Sequence, residues 1–192
     1  MFVDYHGRRS RKRRSRLVKS AALARRFTLS YTLRQRRSPV YRRGMELLCD
    51  LHVHSRFSRA VSADMDLGHM YQWAQRKGID VVATGDVLHP AWRAEMRQQL
   101  VPADEGHGEG LYELRPELRE PLDEAVPRSC RRRVRFILAG AISHIFKKDG
   151  AVRKVHNLIV LPSLDCGDQV AERLLRLGYN LHSDGRPILG MP

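Results

Sequence analysis

Two histidines stand two residues apart in Cys49-Asp50-Leu51-His52-Val53-His54-Ser55, at the end of an apolar run. Along a strand, residues i and i+2 share a face. With a strand over 47–53, His52 and His54 project side by side from its C-terminal end. Two imidazoles on one rigid face can hold one divalent cation, and a cation there can activate water. The same spacing also suits two surface histidines on an edge strand, so the motif needs support from elsewhere in the chain.

That support comes from where the other candidates fall. Residues 79–84 read as a buried strand, and Thr84-Gly85-Asp86-Val87-Leu88-His89-Pro90 leaves it with Asp86 and His89 available. His156 sits inside the apolar run Val155-His156-Asn157-Leu158-Ile159-Val160. A histidine in a buried strand is more often a hydrogen-bonded core residue than a ligand. Sites on parallel sheets gather at the carboxyl ends of strands. Imidazoles and one carboxylate converging there from three strands would suit Zn, Mn or Fe. His69, His107, His144 and His182 lack such placement and read as surface residues, and Trp73 and Trp92 read as packing.

The elements that must position these groups follow from hydrophobic spacing. Ser62 or Asp64 can cap a helix in which Leu67, Met70, Tyr71 and Ala74 share a face, with Gly78 as its stop. Strand, helix and strand in this short a span make a βαβ unit, which predicts a parallel sheet. A second helix is expected over 92–100. Residues 101–131 are rich in Pro, Gly and acids and read mostly as loop. A further strand follows over 133–140. Asp149-Gly150 between apolar runs signals a hairpin. Asp165 can cap a helix through Val170, Leu174, Leu175 and Leu177, ended by Gly178. The tail over 179–192 shows no periodic element, as if the domain were cut short.

Charge divides the chain. Of its 35 Lys and Arg, 15 lie in residues 1–44 against the single acid Asp4, so the remainder balances at 20 basic and 20 acidic residues. Such a basic leader repels itself and is expected to be disordered. It suits an arm on nucleic acid phosphates, an organelle transit segment, or sequence upstream of a true start at Met45. The clean onset of a domain at Met45 favours the third. No stretch is apolar enough to span a membrane. Cys49, Cys130 and Cys166 are odd in number and far apart, which suits reduced thiols in a cytosol-like, cytoplasmic setting. No P-loop motif is present, which argues against a helicase or ATPase.

Asp50-Leu51-His52-Val53-His54-Ser55, then Thr84-Gly85-Asp86, then a strand with a further imidazole, resemble the polymerase-and-histidinol-phosphatase (PHP) superfamily of metal-dependent phosphoesterases. One branch is more similar. Phe57-Ser58-Arg59-Ala60, Met65-Asp66-Leu67, Gly85-Asp86 with His89-Pro90, Lys154-Val155-His156-Asn157-Leu158 and Ser183-Asp184-Gly185-Arg186-Pro187-Ile188-Leu189-Gly190 resemble endonuclease Q.

The resemblance implies an α/β fold, the N-terminal half of a PHP-type distorted (β/α)7 barrel over 45–192. It implies metal ligands and catalytic residues at His52, His54, Asp86 and His156, with Zn, Mg or Mn as the divalent metal. It implies a DNA endonuclease acting 5′ to deaminated bases such as uracil and hypoxanthine, or at abasic sites. Two departures qualify this. Ala141 stands where the family carries a bridging glutamate, and the family's later histidine and Asp-x-His motifs are absent. The chain is therefore expected to be truncated and impaired. Two alternatives stay open: another PHP phosphoesterase acting on small phosphate esters, and a non-catalytic remnant that binds DNA through its leader.

Overall fold

The computed structural model describes residues 46–103 and 110–190. The expectations for the leader over 1–44 and for His107 lie outside these residues. The elements run β1 (Cys49–Asp50), α1 (Leu67–Lys77), β2 (Val81–Ala83), α2 (Pro90–Gln99), β3 (Leu100–Pro102), β4 (Leu111–Leu114), α3 (Pro116–Glu124), β5 (Arg135–Lys148), β6 (Ala151–Leu161), α4 (Leu164–Arg176) and β7 (Ile188–Gly190).

The fold is mixed α/β. β1, β2 and β5 are parallel neighbours, with Cys49 opposite Val81 and Val82 opposite Phe136. The expected βαβ unit therefore exists, but the sheet is not wholly parallel. β4 pairs with β5, and β3 with β4, in antiparallel fashion. β6 runs antiparallel to β5 from Leu138–Leu161 to Lys148–Ala151, and β7 joins β5 in parallel. The expected strand over 133–140 and the first arm of the hairpin are thus one continuous strand. Asp149 and Gly150 turn it with φ of 53° and 74°, the left-handed pair that a tight two-residue hairpin requires.

Helix α1 starts later than a cap at Ser62 or Asp64 would set it. Asp66 caps it by accepting from the His69 N–H at 2.8 Å, and Gly78 closes it at φ 78°. The cap of α4 moves the other way. Ser163, and not Asp165, accepts from the Cys166 N–H, and Asp165 sits inside the first turn, where its charge still favours the helix. Leu67, Met70, Tyr71 and Ala74 of α1 are buried as the spacing predicts. They join Trp92 and Met96 of α2, Phe136 and Leu138 of β5 and Leu164 of α4 in one core. Trp92 is fully buried, whereas Trp73 is 52% exposed under the Arg76 guanidinium, so its packing role is corrected.

The described residues of the stretch over 101–131, those at 101–103 and 110–131, hold more regular structure than their composition suggests. Tyr112 and Leu114 alternate into the core from β4, and Pro116 occupies the first turn of α3, where a missing N–H is harmless. The tail also holds an element, since β7 docks on β5 through Ser143–Ile188 and His144–Leu189.

Candidate functional site

β1 is only two residues long, so His52 and His54 lie beyond it and not on it. They still sit side by side, with ring centroids 5.3 Å apart at 73°. What fixes them is a turn off the next strand. After β2 the chain passes through Gly85 at φ 63° and Asp86 at φ 46°. A Cβ at Gly85 would lie 2.5 Å from the Val53 carbonyl oxygen, so the two loops meet backbone to backbone. Left-handed geometry is unusual for an aspartate and marks a position the surroundings enforce. The buried indole of Trp92 is part of that enforcement, donating to the Thr84 and Gly85 carbonyls at 3.2 and 3.0 Å.

Asp86 is fully buried, and its carboxylate is taken up by four donors. Oδ2 accepts from the Ser55 N–H at 2.7 Å, the Ser55 hydroxyl at 2.7 Å and the Ser58 hydroxyl at 2.9 Å. Oδ1 accepts from His54 Nδ1 at 3.0 Å. Gly185 lids this cluster. A Cβ there would fall 2.2 Å from Asp86 Cγ and 2.6 Å from Ser58 Oγ, and its N–H donates to the Phe57 carbonyl at 3.0 Å. Only glycine allows that approach.

The chemistry of this arrangement is that of an oriented imidazole. With Nδ1–H held by a carboxylate, Nε2 of His54 is left as the basic nitrogen, the usual form of a metal-binding histidine. His52 stands beside it, exposed. Two such nitrogens suit a divalent cation. Asp86, by contrast, commits its oxygens to Ser55, Ser58 and His54. Among the described residues, no group of three or more His, Cys, Asp or Glu side chains is placed to hold one ion.

His156 is not brought to the pair. β6 is exposed along nearly its whole length, contrary to the reading of a buried strand, and His156 Nδ1 lies 3.1 Å from the Ser143 hydroxyl across the hairpin. Ala141 is buried on β5 opposite Leu158. Its neighbour Gly140 packs on the Asp86–Val87 backbone, so Ala141 lies near the Asp86 turn and offers no donor to it.

His89 is buried beside the cluster. It stacks on Phe57 at 4.4 Å, and its Nε2 lies 3.3 Å from the His182 carbonyl oxygen. Burial lowers its pKa below the ordinary histidine value, a shift the His182 carbonyl partly offsets. Asp184 is held below the usual carboxylate range: burial alone would raise it, but the N–H and charge of Arg186 outweigh that. His69 and His182 are exposed as expected, whereas His144 is half-buried with an unpartnered Nδ1.

Sequence reasoning overlooked the parts played by Ser55, Ser58 and Gly185. The usable signal was two serines three apart around Phe57, whose hydroxyls can converge on one acceptor.

No protein-family model matches the chain. An uncharacterized protein of Methanocaldococcus jannaschii is 27% identical over 138 residues, covering 72% of this chain and 13% of that protein. The crystal structure of the lesion-specific endonuclease PfuEndoQ from Pyrococcus furiosus matches with a TM-score of 0.56 and 27% identity, over 77% of this chain and 30% of that one. Endonuclease Q in complex with a 27-mer duplex bearing an abasic lesion at the active site matches at 0.54 and 27%, over 74% and 29%. The chain thus spans under a third of the length of the proteins it matches. Over that span, sequence and fold together establish an endonuclease Q-like relationship.

Proposed function

We propose that this chain carries the first-histidine portion of a metal-dependent DNA endonuclease, acting 5′ to deaminated bases or at abasic sites, on part of a PHP-type barrel. The observation that carries this reading is the buried Asp86 carboxylate holding His54 beside His52 at the carboxyl ends of β1 and β2, in a chain resembling a lesion-specific endonuclease.

In this reading His52 and His54 present imidazole nitrogens to a divalent cation, Zn, Mg or Mn. Such a cation supplies Lewis-acid polarisation of a phosphodiester oxygen. Asp86 positions His54, and Ser55 and Ser58 keep that carboxylate in place. His156 and Ala141 add no donor to the pair. The described residues therefore support a half-site, and strand scission needs further donors.

The test is a nicking assay on duplexes containing uracil, hypoxanthine or an abasic site, with Mg or Mn. We expect no useful nicking by the 192-residue chain, and none from Ala141→Glu alone. Fusing the Ala141→Glu chain to the remaining length of an endonuclease Q should give 5′ nicking that disappears on His54→Ala. A fusion that folds and leaves every lesion intact would overturn the endonuclease reading. Efficient nicking by the unmodified chain, lost on His54→Ala, would overturn the half-site.

A further inference from the structure

A second polar basin lies at the other end of the sheet. It has a volume of about 420 Å³ and is lined by Tyr71, Arg119, Asp123, Arg131, Arg132 and Arg133. It opens where α1 ends at Gly78 and where the chain enters β5, whereas His52, His54 and Asp86 follow the carboxyl ends of β1 and β2. We propose that this basin is a binding site for phosphate oxyanions, separate from the histidine pair.

The argument rests on how the guanidiniums are held. Arg131 donates to the carbonyls of Val126 at 2.9 Å and Glu124 at 3.1 Å, which orient its fork without cancelling its charge. Arg119 reaches carboxylates only at 3.8 Å, to Glu113, and 4.0 Å, to Asp123. Arg132 is set by the Gly78 carbonyl at 3.0 Å and by Asp80 at 3.4 Å. Arg133 is forked onto Glu113, with both contacts at 2.7 Å. Asp123, the carboxylate in the lining, already accepts from the Tyr71 hydroxyl and the Gln75 amide at 2.9 Å each. Burial first, and then Asp123, raises the Tyr71 pKa and keeps that hydroxyl a donor.

Arg131 and Arg119 thus face the basin with no described carboxylate closer than 3.8 Å, so theirs are the charges most open to an anion. Gathering like charges is unfavourable unless an anion joins them. Planar guanidinium forks match the oxygens of a phosphate group, which a carbonyl-tethered arginine can bind without first losing a salt bridge. Two sources offer that chemistry: the backbone of a nucleic acid, or a small phosphate such as a free nucleotide.

The experiment uses the full chain and titrates inorganic phosphate by calorimetry at low salt. The variants are Arg119→Gln, Arg131→Gln and the double variant. Glutamine at 131 places its amide nitrogen where the arginine Nε stood and can still donate to the Val126 carbonyl, so charge is removed with one tether kept, and Arg119→Gln removes no short bond. We expect the double variant to weaken phosphate binding at least about tenfold and Arg119→Gln to weaken it by a smaller factor. Arg59→Gln, which removes a charge at an arginine 79% exposed elsewhere on the surface, should leave it unchanged. Competition by a short duplex in wild type would support the nucleic-acid source. Competition by a nucleoside monophosphate without competition by duplex would support the small-molecule source. Equal phosphate affinity in wild type and Arg119→Gln, or an equal loss in Arg59→Gln, would overturn the proposal.

Discussion

Asp86 and His156 are both polar residues that follow or occupy strands, yet they stand in opposite physical situations. Asp86 has no exposed surface and four donors on two oxygens. His156 lies on an exposed strand beside the Ser143 hydroxyl. A buried carboxylate is tolerated only when its acceptor capacity is met, so everything around Asp86 is constrained. The exposed imidazole constrains nothing. Polarity in the sequence is thus no guide to placement unless the donors and acceptors around it are counted.

Gly185→Ala is the strongest way to break this contrast. The new methyl would lie 2.2 Å from Asp86 Cγ, so the carboxylate must move and release buried hydroxyls. Overpacking together with unsatisfied polar groups should cost about 3 kcal/mol. His156→Ala should change stability by about 0.5 kcal/mol or less. Urea unfolding midpoints check both, and similar midpoints would remove the distinction.

Zinc binding sharpens the contrast at a smaller scale. We expect less than one tightly held equivalent per chain. His52→Ala or His54→Ala should weaken the tightest binding step at least about tenfold, and Asp86→Asn by about 10- to 100-fold through loss of the orienting hydrogen bond. His156→Ala should leave it unchanged. Calorimetric titration reads the affinities, and imidazole ¹⁵N shifts read whether His54 keeps its Nδ1–H form in Asp86→Asn. Two tightly held equivalents would contradict the half-site.

The smallest effect concerns pH. Burial lowers the pKa of His89 from its ordinary 6.5 in the folded chain. As pH falls through about 6.5 the unfolded chain takes up the proton more readily than the folded chain, so stability is full above that pH and falls on acidification toward the lowered folded value. The slope from this one group is at most about 1.4 kcal/mol per pH unit. His89→Gln should flatten the stability profile between pH 6.5 and the acid side; Asp184, with its depressed pKa, acts only at lower pH, below its ordinary 3.8. An unchanged profile in His89→Gln would show that the imidazole takes up its proton freely in the fold.

Much of the scaffold was legible because apolar spacing is local. The buried face of α1, the stop at Gly78, the hairpin at Asp149-Gly150 and the pairing of His52 with His54 all follow from residues close in the chain. What was missed depends on distant partners. α3 hid behind Pro116 and Pro121, and is held by contacts from α1 such as Tyr71 to Asp123. β7 exists only because β5 offers it an edge. The exposure of β6 is not legible in its apolar run, because the side chains that make it apolar, Val155, Leu158 and Val160, are all exposed. The donors on Asp86 come from Ser55, 31 positions earlier, and Ser58, 28 positions earlier, a convergence that no local pattern reports.

β5 meets β2 and β4 along its first residues, then β6 and β7 further on. Around Ile137 and again around His144 it is therefore hydrogen-bonded to two strands at once. Exposing an amide there to solvent means parting two ladders in one event, whereas among the described residues the Lys147–Lys148 tip pairs with β6 alone. In deuterated solvent the middle of β5 should be the last backbone to exchange, and its rate should report opening of the whole sheet and not of a single edge.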